Sequence, residues 1–526
     1  VILAWILIVT FGSGVLAWAF GSFSRTIARM VCFVGLGIDA AIILYLWIGR
    51  YGVLKSSGRT WIAETQTEWI RPLGVSFHLA MDGLSLLLVA LTVVLGAASV
   101  AASWKEINNK VGTFHFALMS ALTGILGVFM AVDLFLFYFF WELMLVPVFF
   151  LILAWGWEDR TPAAVKFFIY TQAGGLFMLL SIVTVYWIGG RDTGQYTFDY
   201  AKILNVSMAG NFAVALGFFA AFAVKLPMVP LHLWLPDAYT QAPTAGSVIL
   251  TGLLSKTAAY GMLRFLFPLF PESAGQMSFV VSILAVIGIL YGAMMAFSQS
   301  NIKRLIAYTS VSHLGFVLLG IFAGTQMAMQ GAVVVMLAHG LSTGSLFIIT
   351  GALRQRIGTD DMAKMSGLWS ALPRMGGITL FFALASLGLP GLANFIGEFL
   401  VLAGTFGVRP WLAGIATFVF VVSTIYAAWI IYQVFYGPVK QQWNISDLRP
   451  GEVLNLSVMV TAVLWIGIFP QTVLNTARGA LERIQSAKST MVRQDSVGVG
   501  SNVDLARSEA EAGSRLTEYG AKNVQP

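Results

Sequence analysis

Charge is what this chain has least of. Only 10% of its 526 residues are Asp, Glu, Lys or Arg, while 58% are hydrophobic. Soluble domains carry about 25% charged residues, so this composition cannot clothe a water-facing surface of such length, and lipid is the implied solvent. Cysteine is nearly absent: Cys32 stands alone. One thiol forms no internal disulfide and cannot supply the four ligands of a structural zinc or an iron–sulfur cluster. The five histidines, His78, His115, His232, His313 and His339, show no HxxxH spacing. No redox cofactor or metal is therefore expected in this chain. The net charge of +7 comes from basic residues scattered through loops, a pattern that does not point to nucleic acid.

What the chain has in quantity is apolar runs. A spanning helix needs roughly 20 apolar residues, and about fourteen such runs follow one another, centred near Ile8, Leu36, Val93, Thr123, Val146, Met178, Phe219, Leu253, Ala285, Ser312, Met336, Ala385, Val421 and Val460. The first lacks a basic segment ahead of it and reads as a span, not a cleaved signal. With the N-terminus outside, inner loops hold fourteen Lys and Arg and outer loops eight, which favours that orientation. From about Gln485 the chain turns polar and mixed in charge, and cannot bury enough apolar surface to fold alone.

An internal echo divides the spans. Phe218-Phe219-Ala220 precedes Pro227 at the spacing at which Phe381-Phe382-Ala383 precedes Pro390, and Gly175-Leu176-Phe177 is echoed by Ser345-Leu346-Phe347. The implied unit is five spans, an odd number, so the second copy enters from the opposite face, as in inverted-repeat transporters. The expected fold is an all-α polytopic membrane protein of about fourteen transmembrane helices, with two inverted five-helix repeats containing broken helices. The expected divisions are 1–110 (N-terminal helices), 111–270 and 271–440 (the repeats), 441–484 (a last helix) and 485–526 (the tail).

Ionisable groups inside spans are costly and are functional candidates for that reason. Six stand out: Glu142, Lys225, Lys256, His313, His339 and Glu398. Together they read as a proton relay, in which burial and neighbouring charges set each group's proton affinity and histidine passes protons near neutral pH. A lysine that merely snorkels, or a histidine that is only hydrogen-bonded in the core, is the plainer alternative for each. Pro227, Pro230 and Pro390 free carbonyls of the preceding turn, and at membrane depth these need water or protein partners. Asp39 reads as a helix-contact residue, Asp82 and Asp133 as helix caps.

At these residues the sequence resembles the antiporter-like subunit M family of respiratory complex I, the proton-pumping NADH:quinone oxidoreductase, itself similar to Mrp-type antiporters. The stretches that carry the resemblance are FFWELMLVPVFFLI from Phe139, KLPMVPLHLWLPDAYTQAPTAGSV from Lys225, SKTAAYGMLRF from Ser255, SQSNIKRLIAYTSVSHLGFVLLGIF from Ser298, AHGLSTGSLFI from Ala338 and LGLPGLANFIGEF from Leu387. The resemblance implies that Glu142 and Lys225 form the pumping pair, that Lys256 belongs to a central axis, and that Glu398 stands where sister subunits usually carry lysine. It implies less for His313 and His339, which resemble polar central-axis positions. It also implies flavin and iron–sulfur clusters in partner subunits, sister antiporter-like subunits and phospholipid as neighbours, and a bacterial inner membrane or a mitochondrial inner membrane as the setting. A sodium/proton antiporter subunit and a passive structural spacer of the membrane arm are the competing readings.

Overall fold

The computed structural model describes residues 1–51, 60–439 and 442–486. The polar tail expected from Gln485 lies, from position 487 on, outside the described residues. Among the described residues, eleven helical stretches are long and apolar enough to cross a membrane. The seventh, eighth and twelfth positions are filled by interrupted helices, which completes the fourteen. The seventh is Phe212–Lys225 followed by Leu235–Gln241, and the twelfth is Pro373–Ser386 followed by Ala393–Phe406. The eighth runs over 244–269 and widens into two π-helical turns, Leu250–Leu254 and Met262–Leu266.

Burial sorts the spans. The apolar stretches of the tenth (Ile302–Ala323) and eleventh (Gln326–Ile357) are wholly enclosed by protein, whereas the second (Arg25–Arg50) and fourteenth (Pro450–Ile468) are mostly open. Helices that are hydrophobic all round and enclosed form the core of a large helical protein. Those with exposed Val34, Leu180 and Leu454 present their apolar side chains to lipid. Asp39 on the second span accepts a hydrogen bond from Thr10 Oγ1 of the first at 2.7 Å. Asp82 and Asp133 accept backbone N–H bonds at the starts of the third and fifth spans.

The inverted repeat is written in the backbone. In the first copy Leu134 N–H bonds Phe198 O and Tyr200 N–H bonds Val132 O; in the second Ile302 N–H bonds Asp360 O and Met362 N–H bonds Ser300 O. Each is a small antiparallel bridge joining the start of one span to the loop after the next. Five spans separate the copies, so the bridges lie at opposite faces. The helix breaks repeat too. Leu226 N–H bonds Phe222 O and Met228 N–H bonds Ala223 O; Leu387 N–H bonds Ala383 O and Leu389 N–H bonds Leu384 O. Corresponding positions are 161 residues apart, two fewer than the Phe-Phe-Ala echo indicates.

One element adds to the helical class. Residues Ala63–Ile70 (β1) and Val75–Met81 (β2) pair as an antiparallel hairpin on the face that carries the N-terminus. Its anchor is His78, whose Nδ1 lies 2.7 Å from Asp199 Oδ2 and Nε2 2.9 Å from Glu64 Oε1. Burial opposes the imidazolium, but hydrogen bonds and charge from Asp199 and Glu64 together outweigh it and raise the His78 pKa. A histidine whose pKa rises on folding contributes stability that is complete below its unfolded value and lost as pH climbs through the folded one. Amide exchange across 63–81, corrected for intrinsic rates, should therefore accelerate as pH rises above the ordinary 6.5. His78→Gln should remove that extra pH dependence. A variant hairpin with the wild-type profile would show that the cluster does not anchor it.

Candidate functional site

Four of the six ionisable groups form one buried chain. Lys256 follows the first widened turn of the eighth span, and its Nζ donates to Thr251 O and approaches His339 Nδ1 at 2.6 Å. The His339 and His313 rings lie 5.6 Å apart, centroid to centroid. His313 Nδ1 is 2.8 Å from Glu398 Oε1. All four residues are at most 3% exposed. Both Nε2 atoms, on His313 and His339, are buried without a hydrogen-bond partner among the described residues. The tenth and eleventh spans thus place two imidazoles in series between a lysine and a carboxylate. Each ring can take a proton at one nitrogen and give it up at the other.

Glu142 and Lys225 stand apart from this chain. Lys225 ends the first half of the broken seventh span, fully buried, with its Nζ 3.7 Å over the Trp141 ring and without a hydrogen-bond partner among the described residues. Glu142, on the fifth span beside the interruption at Met144, interacts electrostatically with Lys225, but no ion pair within 4.0 Å joins them among the described residues. Its carboxylate rests against Gly175 of the sixth span, where a Cβ would collide with Oε1. The Trp141 indole accepts the Lys225 ammonium on its face.

The breaks position these groups. Pro227 cannot donate an N–H, and the Trp234 indole N–H donates to Val224 O at 2.9 Å, satisfying a carbonyl that the interruption frees. In the twelfth span Gly388 and Gly391 adopt φ of 80° and 93°, a region that side chains disfavour. By the shared hydrogen-bond pattern, Ser386 occupies relative to its break the place that Lys225 has in the first copy. Ser386 is buried and its hydroxyl has no hydrogen-bond partner among the described residues. Glu398 instead comes from the helix beyond the break. The two repeats therefore carry their ionisable groups on opposite sides of the interruption.

Two further buried clusters escape a reading of single spans. Arg264, which counts as a loop residue on the sequence, lies in the second widened turn and pairs with Asp82 at 2.6 Å. Lys303, likewise assigned to a loop, is fully buried and lies 5.0 Å over the Trp157 ring, on which Arg354 also stacks at 3.8 Å. Glu106 nearby accepts the Thr244 N–H. For Arg264 the sequence signal is a lone cation within an otherwise apolar stretch, GMLRFLF, whereas Lys303 stands beside Arg304 in SNIKRLI and carries no such signal.

Comparison with known proteins gives a consistent result. Residues 131–425 match the family model described as NADH:quinone oxidoreductase/Mrp antiporter, TM. NADH-quinone oxidoreductase subunit M of Escherichia coli is 47% identical over 497 residues, covering 92% of this chain and 97% of the relative. The protein of the same name from Pseudomonas aeruginosa is 46% identical over 495 residues, with 92% and 97% coverage. A chain in the structure of respiratory complex I from Thermus thermophilus with bound NADH superposes with a TM-score of 0.83 at 29% identity, covering 93% of this chain and 99% of that one.

The Gly388 turn yields a direct check. A Cβ there would sit 3.1 Å from Glu398 Oε2, and a side chain in the left-handed region costs about 1–2 kcal/mol. Gly388→Ala should lower the thermal midpoint and shift the Glu398 carboxyl band in infrared difference spectra. An unmoved band would mean that the break does not set the position of the carboxylate.

Proposed function

Because the chain belongs to the subunit M family of NADH-quinone oxidoreductases, we propose that it is a proton-translocating subunit in the membrane arm of such a complex. Its work is then to carry protons through buried side chains while electrons pass through flavin and iron–sulfur groups of partner subunits. The observation that carries this reading is the Lys256–His339–His313–Glu398 series, in which two hydrogen bonds and one ring-to-ring approach of 5.6 Å set two imidazoles between a lysine and a carboxylate.

The steps balance as proton transfers. Lys256 gives a proton to His339 Nδ1 and is left as an amine. His339 releases the proton on its Nε2. A mobile carrier, a water or a rotation of the rings, takes it to His313 Nε2, and His313 gives up its Nδ1 proton to Glu398. Glu398 releases it beyond the twelfth-span break, where Gly388 and Gly391 interrupt the helix. Lys256 is reloaded from the side of Lys225. Glu142 sets when Lys225 holds its proton: a carboxylate drawn toward the lysine favours the charged form, and one held away favours release. Glu142 is only half-buried in the single chain, so a neighbouring subunit covering that face can move it. Respiratory complex I supplies such neighbours in the form of sister antiporter-like subunits, and the setting is the bacterial inner membrane.

The sodium/proton antiporter reading draws less support. Its hallmark would be a carboxylate cluster able to shed water from a cation, whereas the central groups are a lysine and two imidazoles, which are poor partners for a hard cation. A passive spacer would have no need of so many costly buried ionisable groups.

In membrane vesicles energised with NADH and normalised to assembled complex, Lys225→Ala should reduce proton uptake at least about tenfold, in the range lost with a proton-transfer group. Wild-type uptake in that variant would remove Lys225 from the relay. Glu398→Gln preserves size and hydrogen bonding but does not titrate, and it should fall by a similar factor while Glu398→Asp retains much of the activity. If Glu398→Gln pumped like wild type, the relay would have to end at another group.

A further inference from the structure

Away from the relay, a cleft lies between the second and fourteenth spans. It encloses about 700 Å³, within the range of ligand sites. Its origin is in the sequence. The third span turns Ala97, Ala98 and Ala101 toward it, side chains too small to fill the space between larger helices. Gly37 on the second span faces open space at the position of its missing Cβ. The rim carries Leu454 and Val458, apolar and exposed, so the cleft opens sideways, toward lipid.

Its length and its charge identify the occupant. Along the third span the lining runs from Val93 to Lys105. At 1.5 Å per residue that is about 18 Å, close to the roughly 15 Å of hydrocarbon in one leaflet. A partner's transmembrane helix would need a groove of about twice that length. The apolar lining ends where Lys105, in the last turn of the third span, and Arg449, which precedes the fourteenth, stand at the inner face. Trp104 sits at the same level with Arg29 5.2 Å over its ring, as an interfacial tryptophan does. Glu452 is the one carboxylate in the lining, and it is engaged by Arg356 at 2.6 Å and by the Arg449 backbone N–H at 2.7 Å. The mouth therefore presents two cations to whatever headgroup lies above the cleft.

We propose that this cleft is a binding site for an anionic glycerophospholipid of the inner leaflet, with an acyl chain along Ala97 and Ala101 and the phosphate between Lys105 and Arg449. A neutral quinone tail fits the apolar part but gains nothing from the two cations, and a zwitterionic lipid gains less than an anionic one because its ammonium is repelled by them.

The test uses the purified complex that contains this chain, reconstituted with phosphatidylglycerol or phosphatidylcholine bearing a photoactivatable acyl chain. Peptides containing Gly37 and Ala101 should be labelled by the phosphatidylglycerol probe about tenfold more than by the phosphatidylcholine probe, as two cations near a headgroup permit. Lys105→Glu combined with Arg449→Glu should bring the two probes level. Ala101→Trp should remove the label with either probe, and the surface double variant keeps the test decisive if that change impairs assembly. Equal labelling of the wild-type protein by both probes, or full phosphatidylglycerol labelling in the double variant, would overturn the proposal. So would a crosslink from Gly37 to another polypeptide in place of lipid.

Discussion

The hydrogen bond between Lys256 Nζ and His339 Nδ1, 2.6 Å long, is the contact around which the rest of this molecule is arranged. A cation at membrane depth is expensive unless protein supplies polar partners. Lys256 has no carboxylate at hand. It has a carbonyl exposed by a widened helical turn, a serine hydroxyl and an imidazole. Each partner imposes a structural demand. The carbonyl of Thr251 is available because the eighth span is wound loosely just before the lysine, the kind of local π-helical turn that recurs at functional sites. The imidazole requires the eleventh span to run directly alongside, and its neighbour His313 requires the tenth. The two helices that carry the imidazoles are, together with the eighth span, the most enclosed among the described residues, and the lipid-facing helices close around them.

Much of this was legible in the sequence. Ionisable residues in apolar runs announce themselves by their cost, and the six chosen on that ground include a continuous four-membered chain. The order of that chain was not readable, because Lys256 and His339 are 83 residues apart and His313 and Glu398 85. The internal echo pointed to the inverted repeat but misjudged its register by two residues. It matched letters, Phe-Phe-Ala and a proline, while the true correspondence is fixed by where backbone N–H groups find their carbonyls. The error matters, because it would pair the two prolines and hide the equivalence of Lys225 with Ser386.

The sequence was least informative where the partner is remote. Arg264 and Lys303 resemble loop cations at the ends of apolar runs. Asp82, 182 residues away, makes the burial of Arg264 tolerable, since a buried charge persists when it is paired and hydrogen-bonded. The hairpin of residues 63–81 escaped for another reason. Its two strands are short and separate two long apolar runs, so they read as loop. Their alternation becomes meaningful once His78 is seen to reach Asp199, 121 residues on.

The paired backbone bridges have a mechanical consequence. Each repeat is stitched through its main chain at one end: the first at Val132 and Tyr200, the second at Ser300 and Met362. Since the stitches lie on opposite faces, the two halves resemble a pair of books bound along opposite spines. Splaying the unbound edge of the first half exposes its interior to one compartment, and splaying that of the second exposes its interior to the other. Opposed in this way, the two stitches would direct any opening of the two halves toward opposite sides of the membrane.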